Sequence, residues 1–405
     1  MKKKIILGLS LVCLFSNLFS QEKKFGFEFY GWVSPQYFIN SHEIVEARDG
    51  QLSLYPKPAD YDENGKDKNQ NTNQNFSAAA SRFGARIFLN DILGAKVVGN
   101  LETDFTGQSD ANMHLLRLRQ ANVKMSWENV SLTMGHGWSA FCVPEMMPAM
   151  QDLNNGAPFH PFSRLNHIRL DYSPLKILNV VATAGWQRDY ASIGIGGGRD
   201  YRQQSFASIP ELNLQLQVKT NHLFAGVGAE YKELKPNKDK DAVLSSLAYT
   251  AFLNYKNEGL NLKMQAISGG NLNDYCMVGG FYEFDGNYTP TTINSLWCDV
   301  SYSLGRITPA IFVAGATHDF DRTHINTYGS GMSVENLYRI APRVDFFLNK
   351  DLFFTLTLEY TNVKYEDRVC EDRIGNYRLG VSLLYKFSSK WKYTFTNTKQ
   401  QVTTL

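Results

Sequence analysis

The stretch AKVVGNLETDF, residues 95–105, alternates apolar and polar side chains along its length. One set of alternate positions is mostly apolar: Ala95, Val97, Leu101 and Phe105. The other set carries the polar and charged groups: Lys96, Asn100, Glu102 and Asp104. Because successive side chains of a strand point to opposite faces, the segment makes a strand with one apolar and one charged face. Such a strand fits a membrane barrel with lipid outside and water inside.

The same alternation recurs along the chain and predicts an all-β fold, an antiparallel up-and-down transmembrane barrel of about sixteen strands. The predicted strands lie at about 25–40, 80–90, 94–106, 113–127, 129–138, 164–174, 177–188, 208–219, 222–232, 243–256, 259–268, 293–303, 307–317, 337–349, 351–363 and 376–387. Two further segments, 276–284 and 390–397, leave eighteen strands open as an alternative.

The connections between predicted strands are alternately short and long. The short ones are rich in turn residues, as at 90–94 and 256–259, whereas 41–79, 189–207 and 269–292 are long and mostly polar. Short periplasmic turns and long external loops are typical of outer-membrane barrels. A large soluble β-sandwich also has alternating strands, but sixteen strands with alternating loop lengths fit that fold poorly.

The N-terminus predicts export. Lys2, Lys3 and Lys4 precede an apolar run from 5 to 19, so residues 1–20 resemble a secretory signal peptide that is cleaved near Ser20. Cys13 leaves lipidation as an alternative, although the apolar run continues past it. We therefore expect the barrel to occupy 21–387, and 388–405 to be a tail or an extra strand.

Composition excludes other classes of protein. After residue 20 no apolar stretch has the roughly eighteen residues that a membrane helix needs. The formal charge of +2 includes the three signal lysines, so the mature chain does not suggest nucleic-acid binding. The remaining cysteines, Cys142, Cys276, Cys298 and Cys370, are widely spaced without a CxxC pair and predict isolated side chains.

Three segments carry a family resemblance: SAAASRFGARIF at 77–88 with LGAKVVGNLETDF at 93–105, LRLRQANVKMSW at 116–127, and GAPFHPFSRLNHIRLDY at 156–172. They resemble the DcaP-like porins and their relatives in Bacteroidetes-type bacteria, most densely over residues 25–190. The resemblance implies a channel in the outer membrane of a Gram-negative bacterium, often trimeric, that passes small and frequently anionic solutes. The chain departs from the family in having no coiled coil before the first strand and no terminal aromatic residue.

Charged residues that share the polar face of their strands are the candidate pore lining. They are Arg82, Arg86, Lys96, Glu102, Asp104, Lys124, Arg169 and Asp171, with Arg339, Arg343, Asp345 and Arg378 on later strands. Arg117 and Arg119 occupy the same set of alternate strand positions as Ala121 and Val123, whose side chains should face lipid. Because a charge in lipid costs several kcal/mol, we predict a bulge near Gln120 that turns both arginines inward.

We predict a constriction that prefers anions, because basic groups favour anions and guanidinium forks match carboxylates. Its residues are Arg82, Arg86, Arg117, Arg119, Lys124 and Arg169. The alternative is that Glu102, Asp104 and Asp171 pair with these arginines and set a transverse field without much selectivity. The apolar loop 139–163, with Met146, Pro158 and Phe162, predicts a segment folded into the lumen. A trimer contact or an external cap remains the alternative for this loop.

Asp60, Asp62 and Asn64, followed by Gly65, have the spacing of a calcium loop. Lys68 and Asn71 stand where further ligands are expected, so a polar external loop is the alternative.

No HExxH or GxSxG motif occurs, and we predict no enzyme activity. The expected function is a porin for small hydrophilic solutes, with outer-membrane lipid, lipopolysaccharide and two further copies of the chain as partners. The alternative is a surface adhesion protein built on the same barrel.

Overall fold

The computed structural model describes residues 24–396 and 399–404, apart from 152, 154, 324 and 325. The predicted signal peptide at 1–20 lies outside these residues. Within the described chain, none of the helices has the length and apolar character that a membrane crossing requires.

The strands follow one another in chain order, with a few single-turn helices in the connections. The first twelve strands are β1 Lys24–Val33, β2 Gln36–Asn40, β3 Ile44–Ala47, β4 Leu52–Pro56, β5 Asn73–Ser77, β6 Arg82–Ile92, β7 Ala95–Asp104, β8 Arg117–Ser126, β9 Val130–Trp138, β10 Arg164–Leu175, β11 Leu178–Asp189 and β12 Glu211–Lys219. The others are β13 Leu223–Leu234, β14 Leu244–Asn257, β15 Leu260–Gly270, β16 Gly279–Phe284, β17 Asn287–Pro290, β18 Thr292–Tyr302, β19 Ile307–Asp319, β20 Thr327–Ser330, β21 Val334–Phe347, β22 Leu352–Tyr365, β23 Ile374–Thr396 and β24 Lys399–Thr404. The short helices are Asp110–Asn112, Ala140–Cys142, Pro144–Met146, Arg202–Ser205 and Asn273–Tyr275.

Sixteen antiparallel strands close into a barrel, which confirms the predicted fold. The wall runs from β1 and β2, which together make the first strand, to β23, which pairs back with both of them. Similarly, β5 and β6 share the second position, because β5 pairs with β2 and β6 pairs with β1. The chain therefore forms a closed wall in which consecutive wall strands are neighbours.

The remaining strands lie in connections or beyond the wall. In the external loops, β3 pairs with β4, and β16 pairs with β17 and β20 in a separate three-stranded sheet. The segment 276–284 therefore contributes a loop strand instead of a wall strand. After Phe387 the chain stays extended, because β23 continues to Thr396 and β24 folds back on it from Lys399.

The two faces of the wall are chemically inverted relative to a soluble protein. Along β12 the leucines at alternate positions are exposed, whereas Asn213, Gln215 and Gln217 between them are buried. Leucine side chains that are exposed on the outside are stable only against lipid, while the buried amides find partners inside. Gln215, for example, donates a hydrogen bond of 2.6 Å to the carbonyl of Ala140. The alternation in the sequence thus becomes an apolar belt around a polar interior.

The apolar core lies inside the barrel, against one side of its wall. Phe252, Trp297 and Phe312 point inward from β14, β18 and β19 and are buried. They pack in one cluster with Phe141 and Phe159 of the 139–163 connection. The ring centroids of Trp297 and Phe312 are 5.9 Å apart, and those of Phe159 and Phe312 are 6.5 Å apart. Folding of the connection into the barrel thus buries apolar surface that a water-filled interior would expose.

Candidate functional site

The connection 139–163, which we call the inward loop, is fixed to the barrel wall by polar contacts. The Lys263 ammonium donates to the Met147 carbonyl over 2.6 Å, and the Ser295 hydroxyl donates to the Phe159 carbonyl over 2.9 Å. The backbone N–H of Ala149 donates to Asp299 at 3.3 Å. These bonds satisfy loop backbone groups that would otherwise be buried without partners. The inward loop is therefore a rigid part of the interior.

The tip of the inward loop reaches the wall at β23. A side chain added at Gly380 would place its Cβ only 2.3 Å from Oε1 of Gln151. The loop can occupy this position only because residue 380 has no side chain. Together with its contacts on β14 to β21, this places the loop across one half of the interior.

A second external connection, which contains β3 and β4, also enters the interior. The guanidinium of Arg339 on β21 is buried and donates to the carbonyls of Ser53 and Leu54, at 3.3 and 2.7 Å. On β23, Arg378 donates to the Gly50 carbonyl at 2.8 Å and stacks on Phe38. The sequence predicts that both arginines face inward, and in the structure both donate hydrogen bonds to loop backbone carbonyls.

On the wall opposite the inward loop, Arg117 and Arg119 face the interior. The pairing of β7 with β8 shifts register between Glu102 and Thr103, whose partners are Gln120 and Leu118, so Arg119 is the extra residue of a bulge. The bulge lies beside Gln120, where the sequence predicts it, and it turns both guanidinium groups away from lipid. The arginines are almost completely buried.

These arginines pair with carboxylates on the neighbouring strand. Arg117 donates hydrogen bonds from Nε and Nη2 to the Asp104 carboxylate, at 3.1 and 2.7 Å. Arg119 binds Glu102 at 2.9 Å and Asp104 at 2.6 Å. Bidentate geometry of this kind is the strong form of the arginine–carboxylate interaction. Four of the residues predicted to line the pore thus form one ion-paired network.

Asp189, at the end of β11, joins this network to the external loops. Its carboxylate accepts bonds from Arg117 and Arg164, at 3.3 and 3.2 Å, and from Arg48 at 2.9 Å. Arg48 belongs to the connection that contains β3 and β4, and it also bonds the Tyr190 hydroxyl at 2.9 Å. The sequence analysis did not identify Arg48, Arg164 and Asp189. They lie in a loop or at the end of a strand, where the alternation does not show which way a side chain points.

Arg82 and Arg86 line the wall of β6 and stack on aromatic rings of β1. Arg82 lies 4.1 Å from the Trp32 ring and Arg86 lies 4.3 Å from the Tyr30 ring. Arg82 is within 3.7 Å of Glu102, so it belongs to the same network, whereas Arg86 pairs with Glu28 and remains 43% exposed. Arg86 is therefore open to the lumen.

The other predicted lining residues lie lower on the wall, towards the short turns. Arg169 pairs with Asp171 through Nε, which donates to the two carboxylate oxygens at 3.2 and 3.0 Å, and through Nη2, which donates at 2.7 Å. Lys96 and Lys124 are exposed on the inner face of adjacent strands, with Val98 as the register partner of Lys124. The structure thus separates the candidates into a buried upper network and a lower group whose two lysines are exposed.

More lysines share the lower position than sequence analysis named. At inward-facing positions near the short turns the exposed lysines are Lys96, Lys124, Lys219, Lys256 and Lys386. We call this set the lower lysines. The parity rule would have found Lys219, because it continues the inward series Asn213, Gln215 and Gln217 of β12. Lys219 is the last residue of its strand, so no later inward-facing residue confirms the alternation there.

The structure does not bring Asp60, Asp62 and Asn64 together around one point. Asp60 pairs with Lys68 at 2.8 Å, and the Asp62 carboxylate accepts the backbone N–H groups of Asn64 and Lys66. Among the described residues no group of three His, Cys, Asp or Glu side chains is placed to hold a metal ion. The four cysteines of the barrel are unpaired.

Solved structures with a similar fold are outer-membrane channels. The outer membrane channel DcaP of Acinetobacter baumannii matches with a TM-score of 0.71 and 14% identity, over 89% of this chain and 97% of that one. An anion-selective porin from Comamonas acidovorans matches with a TM-score of 0.56 and 12% identity, over 90% of this chain and 100% of that one. OmpF of Salmonella typhi in complex with daunomycin matches with a TM-score of 0.54 and 10% identity, over 89% of this chain and 97% of that one.

No protein-family model and no curated protein sequence matches the chain. The structural similarities nevertheless define the class of fold, because they extend over nearly the whole length of each partner. The chain has the barrel fold of outer-membrane porins, and among these structures the DcaP channel has the highest similarity, as the sequence resemblance predicts.

Proposed function

We propose that the protein is a porin of the outer membrane, a water-filled channel through which small hydrophilic solutes diffuse. The observation that carries this proposal is the combination of an apolar outer belt with a polar interior that an inward loop narrows without being part of the wall. A closed barrel of sixteen strands is wide enough to leave an aqueous channel. The exposed lower lysines and Arg86 support a solvated lumen.

The accessible charge of the described interior supports a preference for anions. The lower lysines are exposed, whereas Glu102 and Asp104 are buried in ion pairs with arginines. A solute in the lumen therefore meets exposed ammonium groups, and basic groups at a constriction favour anions. Glu145 of the inward loop is the exposed acidic group on the opposite side, close enough to Arg169 for electrostatic interaction. A transverse field across this gap supports orientation of dipolar solutes.

Reconstitution of the purified protein in planar bilayers tests both parts of the proposal. Stepwise conductance is expected, with a reversal potential in a potassium chloride gradient that reports chloride preference. Absence of conductance would favour the alternative of a surface adhesion protein, for which the separate external sheet of β16, β17 and β20 offers a platform. A conducting but cation-selective channel would overturn the anion preference and leave the porin function standing.

A homotrimer is the assembly that we propose for the channel. OmpT of Vibrio cholerae, described in a trimer form, shares the fold with a TM-score of 0.54 and 9% identity. The outer belt of exposed leucine and aromatic side chains is continuous enough to serve both lipid and neighbouring copies. Native mass spectrometry of the detergent-solubilised protein is expected to give three chains, and a monomer would contradict the assembly.

A further inference from the structure

The network around Arg117 and Arg119 carries more positive than negative charge. Its guanidinium groups belong to Arg48, Arg82, Arg117, Arg119 and Arg164, and its carboxylates belong to Glu102, Asp104 and Asp189. Five cations face three anions, which leaves two positive charges without a carboxylate among the described residues. We call these eight residues the arginine network. Burial of uncompensated charge is strongly unfavourable, so the network as described is incomplete.

Arg164 shows where the missing partner fits. Its side chain is completely buried, and only Nη1 is hydrogen-bonded to a carboxylate, that of Asp189. Nε and Nη2 of Arg164 have no hydrogen-bond partner in the described structure. These two atoms form one edge of the guanidinium plane, which is the edge that binds two oxygens of a single anion. The Nε atom of Arg82 is likewise without a partner.

The surroundings of Arg164 favour an anion at this edge over a neutral group. The ring of Trp138 lies 3.8 Å from the guanidinium carbon and that of Phe162 lies 5.3 Å from it, and because the two ring centroids are 5.3 Å apart, both rings cover the group from one side. The Nε and Nη2 edge is the part of the group that has no hydrogen-bond partner in the described structure. Arg82, Arg117 and Arg119 are close enough to act electrostatically on Arg164. A negative charge at its edge interacts favourably with all of these groups at low local dielectric.

We propose that the arginine network binds one small oxyanion, of the carboxylate or phosphate type, on the Nε and Nη2 edge of Arg164. The anion completes the charge balance of the network and links the start of β10 to Arg48 of the external connection through Asp189. The side chains of Arg82 and Asp189 retain 12% and 16% exposure, so the network opens to solvent beside the lumen. The ligand is a resident of the wall, and the inference goes beyond the proposed channel function without depending on it.

Thermal unfolding of the purified full chain in detergent tests the site. The protein is first exchanged into a chloride buffer free of oxyanions and is then titrated with inorganic phosphate. A ligand that binds only the folded state raises the unfolding midpoint in a saturable way. We expect this rise in the wild type, together with a change in tryptophan fluorescence, because Trp138 stacks on Arg164.

Two variants of Arg164 and one control separate binding from general salt effects. Arg164→Gln is expected to lose at least nine tenths of the saturable shift, and Arg164→Lys, which keeps the charge but not the edge, to bind at least tenfold more weakly. Arg202→Gln removes an exposed arginine that pairs with Asp200 and should respond like the wild type. Phosphate also stabilises proteins by exclusion from their surface, but that effect is equal in all variants and does not saturate.

Acetate and sulfate titrations identify the type of oxyanion. A saturable response to acetate as well as phosphate assigns a carboxylate-accepting site, and a response to phosphate and sulfate alone assigns a tetrahedral one; both support the proposal. No saturable response in the wild type, or a response in both Arg164 variants equal to that of the wild type, would overturn it. Reversal potentials are measured separately, so failure of this site and failure of the proposed channel are distinguishable.

Discussion

Nη1 of Arg339 on β21 donates a 2.8 Å hydrogen bond to the carbonyl of Ala157 in the inward loop. The other end of the same guanidinium bonds the carbonyl of Leu54, and Nε lies 3.2 Å from the Glu359 carboxylate on β22. One buried cation thus attaches two external connections to the wall. Because the Glu359 charge neutralises that cation, the contact needs no solvent.

Arg339→Met is expected to loosen both connections and to raise the mean conductance and the open-channel noise. The substitution leaves the buried Glu359 without its cation, and breaking a buried pair in this way costs about 3–5 kcal/mol. Part of this free energy is recovered if the loops move away and admit water, which widens the lumen. Single-channel recordings measure the effect. Arg202→Met, at an exposed position of the short helix Arg202–Ser205, is the control and should conduct like the wild type.

Gly380→Leu is expected to displace the tip of the inward loop. The new side chain would occupy the position of the Gln151 amide, which lies 2.3 Å from an added Cβ, so one of the two must move. We expect altered conductance with an intact barrel. Gly315→Leu is the matched control, because Gly315 lies in β19 with no atom closer than 4.0 Å to an added Cβ. Equal conductance of the two variants would contradict the position of the loop tip.

Local alternation was sufficient to predict the number of wall strands and the facing of most charges. It also located the bulge beside Gln120, because the parity of Arg117 conflicted with that of Val123. Alternation says nothing about residues outside strands, and Arg48 meets Asp189 across 141 positions of the chain. The partners that bury Arg117 and Arg119 therefore became visible only with the tertiary structure. The inward-facing apolar residues Trp297 and Phe312 also became visible only with the tertiary structure, because their strands show the same alternation as the other wall strands.

Asp104→Asn is expected to destabilise the folded barrel by about 3–5 kcal/mol, because two buried arginines lose their shared carboxylate. Asp104 is completely buried between Arg117 and Arg119. The free energy of unfolding in urea, followed by tryptophan fluorescence, measures the loss. Asp171→Asn removes a carboxylate with one arginine partner and 14% exposure, and a smaller loss of about 1 kcal/mol is expected there. A larger effect at Asp171 would contradict the ranking.

The external hairpin that contains Asp67 is expected to loosen in acid. Partial burial acts to raise the pKa of Asp67, but the backbone N–H groups of Asp60 and Asn69 and the His42 ring outweigh it and hold the pKa below its usual value. A lowered pKa in the folded state contributes stability above the ordinary value of about 4, and this is lost as pH falls through the folded pKa.

Hydrogen exchange measures this effect at the amides of Asp60 and Asn69. Asp67→Ala should exchange faster at these two amides at neutral pH, because the acceptor of both is gone. The wild type should keep them protected until the pH falls below about 4. Asp239→Ala, at an exposed external position that pairs with Lys238, serves as the control. Fast exchange of the wild type at neutral pH would contradict the assignment of Asp67 as the acceptor.

Replacement of Lys96, Lys124, Lys256 and Lys386 together by glutamate is expected to reverse the ion preference of the channel. These side chains are exposed at inward-facing positions near the short turns, and the exchange changes the local charge by eight units. Because a ring of acidic groups favours cations, the reversal potential in a potassium chloride gradient should change sign. Lys238→Glu alters a lysine of an external connection and should leave the sign unchanged. An unchanged reversal potential in the variant with all four substitutions would mean that the lower lysines do not contact the permeating ions. The ion selectivity would then have to arise higher in the lumen, near Arg86.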